Sequence, residues 1–463
     1  MNSISSNPSK IRHRPLAAFK HTTLAPDPST SSAEILAQAP SMDVALEGTR
    51  SDRALSKLSQ TIPSIPFDIL SHIFQIHKAL HPDARWGDNV PCSIRVSHVS
   101  RAWRDTALST PSLWTSLVSS PTHSTPFYHM LIRRSKGLLL DFVVIASTHG
   151  CKEPARRLAA LVPSQAHRLR TLQIQAPLDF IRRQIPALAK LAAPFMTEFK
   201  INQWPLTTDP LSDIPPVRHI LTGGVCRLVT FQARNTGLRL QPPLASVRNM
   251  MLLFDTPVPY TALHEALKVA SQTVSRLAVN ADIICGAYLH FPCITMPFLT
   301  SLVFHGTPSD AVLFLAKIQA PSLETLSIVL WEPPSSEMGP RRHDSIAQNY
   351  PSLHTLIIYG VLARVVLTLL PNITRLLIPT PSRHTTNLGD MFDVTDPADT
   401  AMAPCLLDIT ASSLFKQRIE AFCSARRELG ISVPVFHAIE SRGIGDGTGQ
   451  NSTRRTLRTI GIY

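Results

Sequence analysis

A six-residue pattern of apolar and polar positions recurs nine times between residues 169 and 378. Each hexad has apolar residues at its first, fourth and sixth positions, and most of the intervening residues are polar. Alternation with a period of two is typical of a β-strand that buries one face. We therefore predict nine short strands. The hexads begin at Leu169, Met196, Leu228, Val247, Val274, Leu299, Leu323, Leu353 and Ile373.

The hexads are spaced fairly evenly. Their fourth positions span 204 residues over eight intervals, a mean of 25.5, and single intervals range from 19 to 32. This L-x-x-L-x-L form and period resemble a leucine-rich repeat, whose period is about 20–29 residues. The Asn or Cys that normally follows the strand is missing here. The resemblance implies a curved βα solenoid. An α/β domain with a parallel sheet would alternate similarly, but nine hexads without a phosphate loop favour the solenoid.

Helical or irregular segments connect the predicted strands, and the clearest helices fall at 179–191, 260–271, 309–318 and 361–370. Residues 134–147 contain a short apolar run typical of a strand. A last helix is predicted at 413–429, where Gly430 suits the left-handed position that ends a helix. This helix could cover the exposed end of a solenoid, and a final strand is predicted at 431–439.

Residues 62–117 have a different, helical pattern. Pro66 suits the first position of a helix, and a polar loop with Pro82, Gly87 and Pro91 ends that helix. Thr110 and Pro111 open a turn that returns Leu113 and Trp114 to the helices. We predict three short helices. Ile69, Leu70, Ile73 and Phe74 form one apolar stripe at helical spacing, and Ile94, Val96, Val99, Trp103 and Leu108 face inward.

The order of these residues closely resembles an F-box, in the form common in large fungal families. The segment contains Ile-Pro-x-x-Ile-Leu-x-x-Ile-Phe and then Val-Ser-x-x-Trp-Arg-x-x-Ala-Leu-Ser-Thr-Pro-x-Leu-Trp. Ile65, His98 and Ser100 depart from the usual residues. The resemblance implies docking of a Skp-type adaptor, and through it a cullin. The adaptor-binding residues would be among Pro66, Ile69, Leu70, Ile73, Phe74, Val96, Val99 and Trp103. Some of these must hold the helices together, and the sequence does not divide the two sets.

The predicted fold class is therefore α+β, a small three-helix F-box followed by a curved βα leucine-rich-repeat-like solenoid. The resemblance implies the substrate-recognition subunit of an SCF-type E3 ubiquitin ligase. The alternative is a non-degradative leucine-rich-repeat interaction or scaffold protein. No Gly-x-Ser-x-Gly, His-Glu-x-x-His or paired-carboxylate motif occurs, so we expect no enzymatic activity, no cofactor and no metal.

We expect the substrate to bind the face of the strands opposite the buried leucines. Early strands place polar and basic residues there and later strands place apolar ones, so the candidate substrate-binding residues are Lys200, Arg234, His305, Ile357 and Tyr359. The alternative is that a degenerate repeat buries its later strands under loops. If the surface is open, an apolar patch of this kind marks a partner site.

The net charge of the chain indicates the kind of partner it attracts. The net charge is +13, and residues 151–260 hold 14 Lys or Arg against 6 Asp or Glu, a local excess of +8. Such a field attracts acidic partners, so an acidic or phosphorylated protein segment is the expected substrate. Nucleic acid is less favoured because the basic residues are spread over many elements and are not interleaved with aromatic residues.

Composition divides the chain and indicates its compartment. We predict a disordered, Ser/Thr/Pro/Ala-rich arm at 1–60, the F-box at 61–120, the solenoid with its capping helix at 121–440 and a flexible basic tail at 441–463. A mitochondrial transit peptide is less favoured than the arm because Pro8 and Pro15 interrupt it. The apolar runs are too short for a membrane span. The seven cysteines lack any Cys-x-x-Cys pair, so buried free thiols and a reducing, cytoplasmic or nuclear location are expected.

Overall fold

The computed structural model describes residues 65–80, 91–146, 152–204, 218–236, 238, 240–284, 291–330, 346–359, 366–367, 369–378 and 403–439. The described residues, which begin at Ile65, belong to one compact unit. The arm predicted at 1–60 and the tail predicted at 441–463 lie outside the described residues, as do six of the ten residues of the helix predicted at 361–370.

The first described residues form three short helices and a turn. The helices are α1 (Phe67–Leu80), α2 (Cys92–Ser97) and α3 (Arg101–Ser109), and a 3₁₀ turn follows at Pro111–Trp114. The Ser100 hydroxyl caps α3 by accepting a hydrogen bond from the backbone N–H of Trp103, which satisfies one of the unpaired N–H groups of the first turn.

The 3₁₀ turn packs onto these helices as predicted. Leu113 and Trp114 are buried, and the Trp114 Nε1–H donates to the backbone carbonyl of Ala107 at 2.8 Å. A buried indole N–H without such a partner would cost free energy. The turn therefore closes a small helical core.

Thirteen parallel strands form one sheet, and their order across the sheet is their order along the chain, so each inner strand pairs with the sheet strand that precedes it and the one that follows it. The strands are β1 (Ser116–Val118), β2 (Leu140–Ile145), β3 (Leu169–Ala176), β4 (Glu198–Gln203), β5 (Thr230–Arg234), β6 (Asn249–Leu253), β7 (Arg276–Asn280), β8 (Ser301–Gly306), β9 (Thr325–Leu330), β10 (Thr355–Tyr359), β11 (Arg375–Ile378), β12 (Asp408–Ser412) and β13 (Val435–Ile439).

The nine hexads lie on β3–β11, and the strands pair in one constant register. The fourth position of each hexad faces the fourth position of the next, from Leu172 beside Phe199 to Leu356 beside Leu376. These residues are at most 2% exposed. Because a slip of one residue would turn them to the opposite face, burial of this ladder fixes the register.

Helices and short strand pairs form the connections. The helices are α4 (Thr125–Arg134), α5 (Glu153–Ala159), α6 (Leu178–Ala189), α7 (Tyr260–Ala270), α8 (Pro308–Ala316) and α9 (Lys416–Glu428). Short 3₁₀ turns lie at Pro163–Arg168, Ala347–Asn349 and Ser413–Phe415. Two-residue strands pair Arg218–His219 with Leu240–Gln241, Val258–Pro259 with Ile283–Ile284, and Ile294–Thr295 with Ile318–Gln319.

The helices predicted at 179–191, 260–271, 309–318 and 413–429 correspond to α6, α7, α8 and α9. Gly430 has φ +69°, and the N–H of Ile431 bonds to the carbonyl of Arg426 at 2.9 Å, so glycine ends α9 as predicted. The chain is therefore a mixed α/β protein with a large parallel sheet. Within the described residues, no helix combines the length and the apolar character needed to cross a membrane.

The prediction of buried thiols is wrong for three cysteines. Cys92 is buried, but Cys226, Cys293 and Cys405 are exposed. All three lie in connections before a strand, where the alternation that buries strand residues does not operate. The five described cysteines are free thiols.

Candidate functional site: an apolar helix face and an open sheet face

Helix α1 has two apolar faces. Leu70 and Phe74 are buried at 3% and 1% exposure, and the Phe74 ring lies 5.0 Å from that of Trp103. A second set remains 44–64% exposed. We call Ile69, Ile73, Ile76 and Leu80 the α1 stripe. At 3.6 residues per turn, these four side chains fall within about 60° of one another around the helix.

Polar contacts hold α1 in place beneath the stripe. The Lys78 ammonium donates to the carbonyl of Ser112 and to the Thr115 hydroxyl, both at 2.7 Å. The hydroxyls of Ser71 and Thr110 are 3.0 Å apart. All of these partners lie at or beside the 3₁₀ turn, so the stripe projects from a fixed helix.

The structure divides the candidate adaptor-binding residues into two groups. Leu70, Phe74 and Val96 are buried, and Trp103 is half-buried against the core. The exposed group consists of Pro66, Ile69, Ile73 and Val99. The single apolar stripe predicted for α1 is therefore wrong, because Leu70 and Phe74 face the core while Ile69 and Ile73 face outward.

Val99 was predicted to face inward and is instead 61% exposed. Helix α2 ends at Ser97, and Val99 lies in the turn that precedes α3. Helical spacing therefore does not extend to it. Sequence reasoning also missed Ile76 and Leu80. The steps from Ile69 to Ile73, Ile76 and Leu80 are four, three and four residues, which is the spacing typical of one helix face.

The second surface is the sheet face formed by the third, fifth and seventh positions from each hexad start. Its early cations are paired. Lys200 Nζ lies 2.6 Å from Glu198 Oε1, and the Arg234 guanidinium donates two hydrogen bonds to Asp255, both at 2.9 Å. Arg170, at the second position of the first hexad and so outside this set, binds Asp141 in the same bidentate way. The basic character predicted for these strands is therefore balanced locally by carboxylates.

The Asp255 carboxyl shows the strength of this pairing. Burial alone would raise its pKa, but hydrogen bonds from Arg234 and Asn235, together with the Arg234 charge, outweigh burial and lower the pKa. The Arg234 guanidinium also lies 5.7 Å from the Trp204 ring centroid. Arg234, a candidate substrate-binding residue, is thus held by groups of its own chain.

The later strands are closely packed on the same face. Ile357 is 5% exposed, which agrees with the alternative that later strands are buried. Burial lowers the pKa of His305 to about 4, so its ring is neutral at pH 7. Burial raises the pKa of Tyr359 to about 12, and its hydroxyl has no hydrogen-bond partner among the described residues.

An open groove with a volume of about 210 Å³ crosses this face from β4 to β8. Of the five candidate substrate-binding residues, the groove includes Lys200 alone. Arg234, His305, Ile357 and Tyr359 do not line it. Its remaining lining is contributed by Glu198, Thr230, Phe231, Gln232, Asn249, Met250, Met251, Arg276, Leu277, Ala278, Ser301 and Val303.

In the part of the chain that the structure describes, no group of three or more His, Cys, Asp or Glu residues could hold a metal ion. No model of a known protein family matches the chain, and comparison with curated proteins gives no significant match. The fold and these two surfaces are therefore the observations that bear on function.

Proposed function

We propose that this chain is the substrate-recognition subunit of an SCF-type ubiquitin ligase. Residues 61–120 would act as an F-box that docks a Skp-type adaptor, and the sheet would act as a degenerate leucine-rich-repeat solenoid that binds the substrate. The observation that carries the proposal is the α1 stripe, an apolar helix face left exposed beside a buried one.

An exposed stripe of this kind suits a partner with an apolar groove. Amphipathic helices bind such grooves through apolar side chains three, four and seven residues apart. Ile69, Ile73, Ile76 and Leu80 lie at i, i+4, i+7 and i+11, so successive residues of the stripe are separated by these same steps of three or four. Completing the burial of four half-exposed Ile or Leu side chains contributes roughly 1 kcal/mol each. The exposed Pro66 and Val99 would extend the contact.

The strand order supports the solenoid over a doubly wound α/β domain. A doubly wound sheet reverses its strand order at a switch point. Here all thirteen strands of the described sheet follow the chain order in one direction. Stacking each repeat on the one before it, as a solenoid does, produces such an order.

The proposed mechanism is rigid placement of two partners. One apolar core runs from Leu70 in α1 to Phe422 in α9. The adaptor-binding and substrate-binding surfaces would therefore keep a fixed relation to each other. Ubiquitin transfer would belong to other subunits, in the cytoplasm or nucleus, so this chain needs no catalytic residue.

Co-purification with a Skp-type adaptor tests the proposal. The double variant Ile69→Glu/Ile73→Glu should lose the adaptor while keeping the fold, because both positions are about half exposed. Leu70 is unsuitable for this test because its substitution would damage the core. Val269→Glu is a matched control, since Val269 is 58% exposed on α7, and it should retain the adaptor.

Retention of the adaptor by the double variant would show that the stripe is not the dock. If the folded wild-type chain binds no Skp-type adaptor, the ligase proposal fails. The non-degradative scaffold would then remain, with the stripe as a site for another helix-binding partner.

A further inference from the structure

The geometry points to the substrate class. We propose that the groove across β4–β8 binds an extended, uncharged segment of the substrate through an apolar side chain seated over Ala278. This inference rests on the proposed function, in which the sheet is the substrate-binding part. It differs from the acidic or phosphorylated segment that net charge alone suggests.

A small residue creates the groove. Met251, Ala278 and Val303 are register partners on β6, β7 and β8, and all three line the groove. The side chain of Ala278 ends at its Cβ between two longer neighbours. The result is a depression with apolar walls, one of which is an unbranched Met that can adapt to different side chains.

The dimensions suit a chain segment. Neighbouring strands lie about 4.8 Å apart, so a groove over five strands is about 19 Å long, and about six residues in extended conformation span that distance. Gln232, Thr230, Asn249 and Ser301 line the groove beside the apolar walls. Their side chains supply hydrogen-bond donors and acceptors for the backbone of an extended segment.

Charge argues against an acidic occupant. The charged residues that line the groove are Lys200, Arg276 and Glu198, and Lys200 is paired with Glu198 at 2.6 Å. A carboxylate or phosphate approaching Lys200 would have to displace Glu198 or lie beside it. Like charges at such distances repel, so the Lys200 end of the groove disfavours an acidic group. Around Ala278, the apolar walls Met251 and Val303 favour an uncharged side chain.

Selection from a random nine-residue peptide display library on the full-length chain tests the inference. Selected peptides should be rich in Leu, Ile, Met or Phe without excess acidic residues. Measured by fluorescence anisotropy, their affinity should change less than about threefold between 50 and 300 mM salt, because no exposed ion pair forms.

Two matched variants locate the site. Ala278→Met fills the depression and should weaken peptide binding by about tenfold or more. Gln173→Met places the same side chain at the equivalent position of β3, outside the groove lining, and should bind as wild type. Acid-rich peptides with steep salt dependence, unchanged binding by Ala278→Met, or selection of no peptide would each overturn the inference.

Adaptor binding measured on the same preparations separates the two proposals. Ala278→Met should bind the Skp-type adaptor as wild type does, because the α1 stripe is untouched. Peptide binding without adaptor binding would refute the ligase proposal and leave the groove assignment intact. Adaptor binding without selected peptides would refute the groove assignment alone.

Discussion

The helical segment and the parallel sheet leave very different amounts of apolar surface in contact with water. Seven of the 17 exposed large apolar side chains in the described residues lie between Ile65 and Val99. The sheet and its connections, a far longer part of the chain, contain the other ten. Apolar exposure is therefore concentrated where the chain is helical.

The difference follows from repetition. In the sheet, the apolar positions of each strand meet the same positions of both neighbours, so each copy of the hexad covers the next. Helix α1 has no second copy beside it, and the face that packs against the core consists of Leu70 and Phe74. The stripe of Ile69, Ile73, Ile76 and Leu80 has to be covered by another molecule or stay in water.

Adjacent residues on α1 give the largest expected contrast. Phe74→Ala should cost about 3–5 kcal/mol of unfolding free energy because it empties a buried site. Ile73→Ala should change it by less than about 1 kcal/mol, since surface substitutions have small effects. Urea denaturation of both variants measures this difference. Equal destabilisation would mean that the stripe is covered within the chain.

His305 should make the sheet sensitive to acid. Its folded pKa of about 4 lies below the usual value of about 6.5, so the unfolded state takes up a proton first as pH falls. Stability should be intact above pH 6.5 and decline by up to about 3 kcal/mol as pH falls to 4. His305→Gln should flatten this decline in urea denaturation at pH 7.5, 5.5 and 4.5. If the unfolding free energies of wild type and His305→Gln fell equally with pH, His305 would not be the source of the acid sensitivity.

Close backbone packing in the sheet connections should also cost stability when disturbed. A Cβ on Gly223 would lie 2.6 Å from the carbonyl oxygen of Lys190 and 2.8 Å from the N of Ala192. Gly223→Ala should therefore destabilise by about 1–3 kcal/mol, as overpacking does. Thermal unfolding checks this. A variant as stable as wild type would show that this connection packs loosely, unlike the strands.

The Arg234–Asp255 pair should have the smallest effect. Because the folded pKa of Asp255 is lowered, its contribution is present above the unfolded pKa of about 3.9 and is lost as pH falls through the folded value. Asp255→Asn should cost about 1 kcal/mol at pH 7, since the pair is partly exposed, and this cost should shrink as pH falls through the folded pKa of Asp255. If Asp255→Asn destabilised the protein equally at low pH, the loss would come from packing and not from the ion pair.

The repeat was predictable because its signal is local. Apolar residues at the first, fourth and sixth positions of a hexad require no knowledge of distant residues, and the fourth and sixth positions of all nine hexads lie on strands β3–β11. A tenth copy, Leu-Leu-Asp-Ile-Thr-Ala from Leu406, has the same pattern and forms β12. Sequence reasoning missed it because its fourth position, Ile409, follows Leu376 by 33 residues, just beyond the longest interval of the others.

The candidate sites were less predictable because they depend on tertiary contacts. Val99 falls in a turn where helical spacing ends, and Asp255 reaches Arg234 from 21 residues away. The charge excess of residues 151–260 concealed this pairing, since a net charge does not show which carboxylate meets which cation. The Lys200–Glu198 pair could have been predicted from the sequence, because residues two apart on a strand share a face.

Hydrogen exchange with and without a purified Skp-type adaptor tests the central claim most directly. The full-length chain should exchange more slowly in Phe67–Leu80 when the adaptor is bound, and Thr355–Tyr359 in the sheet should be unchanged. Unchanged exchange in Phe67–Leu80 with the adaptor bound, or protection confined to the sheet, would contradict the assignment of the α1 stripe as the adaptor dock.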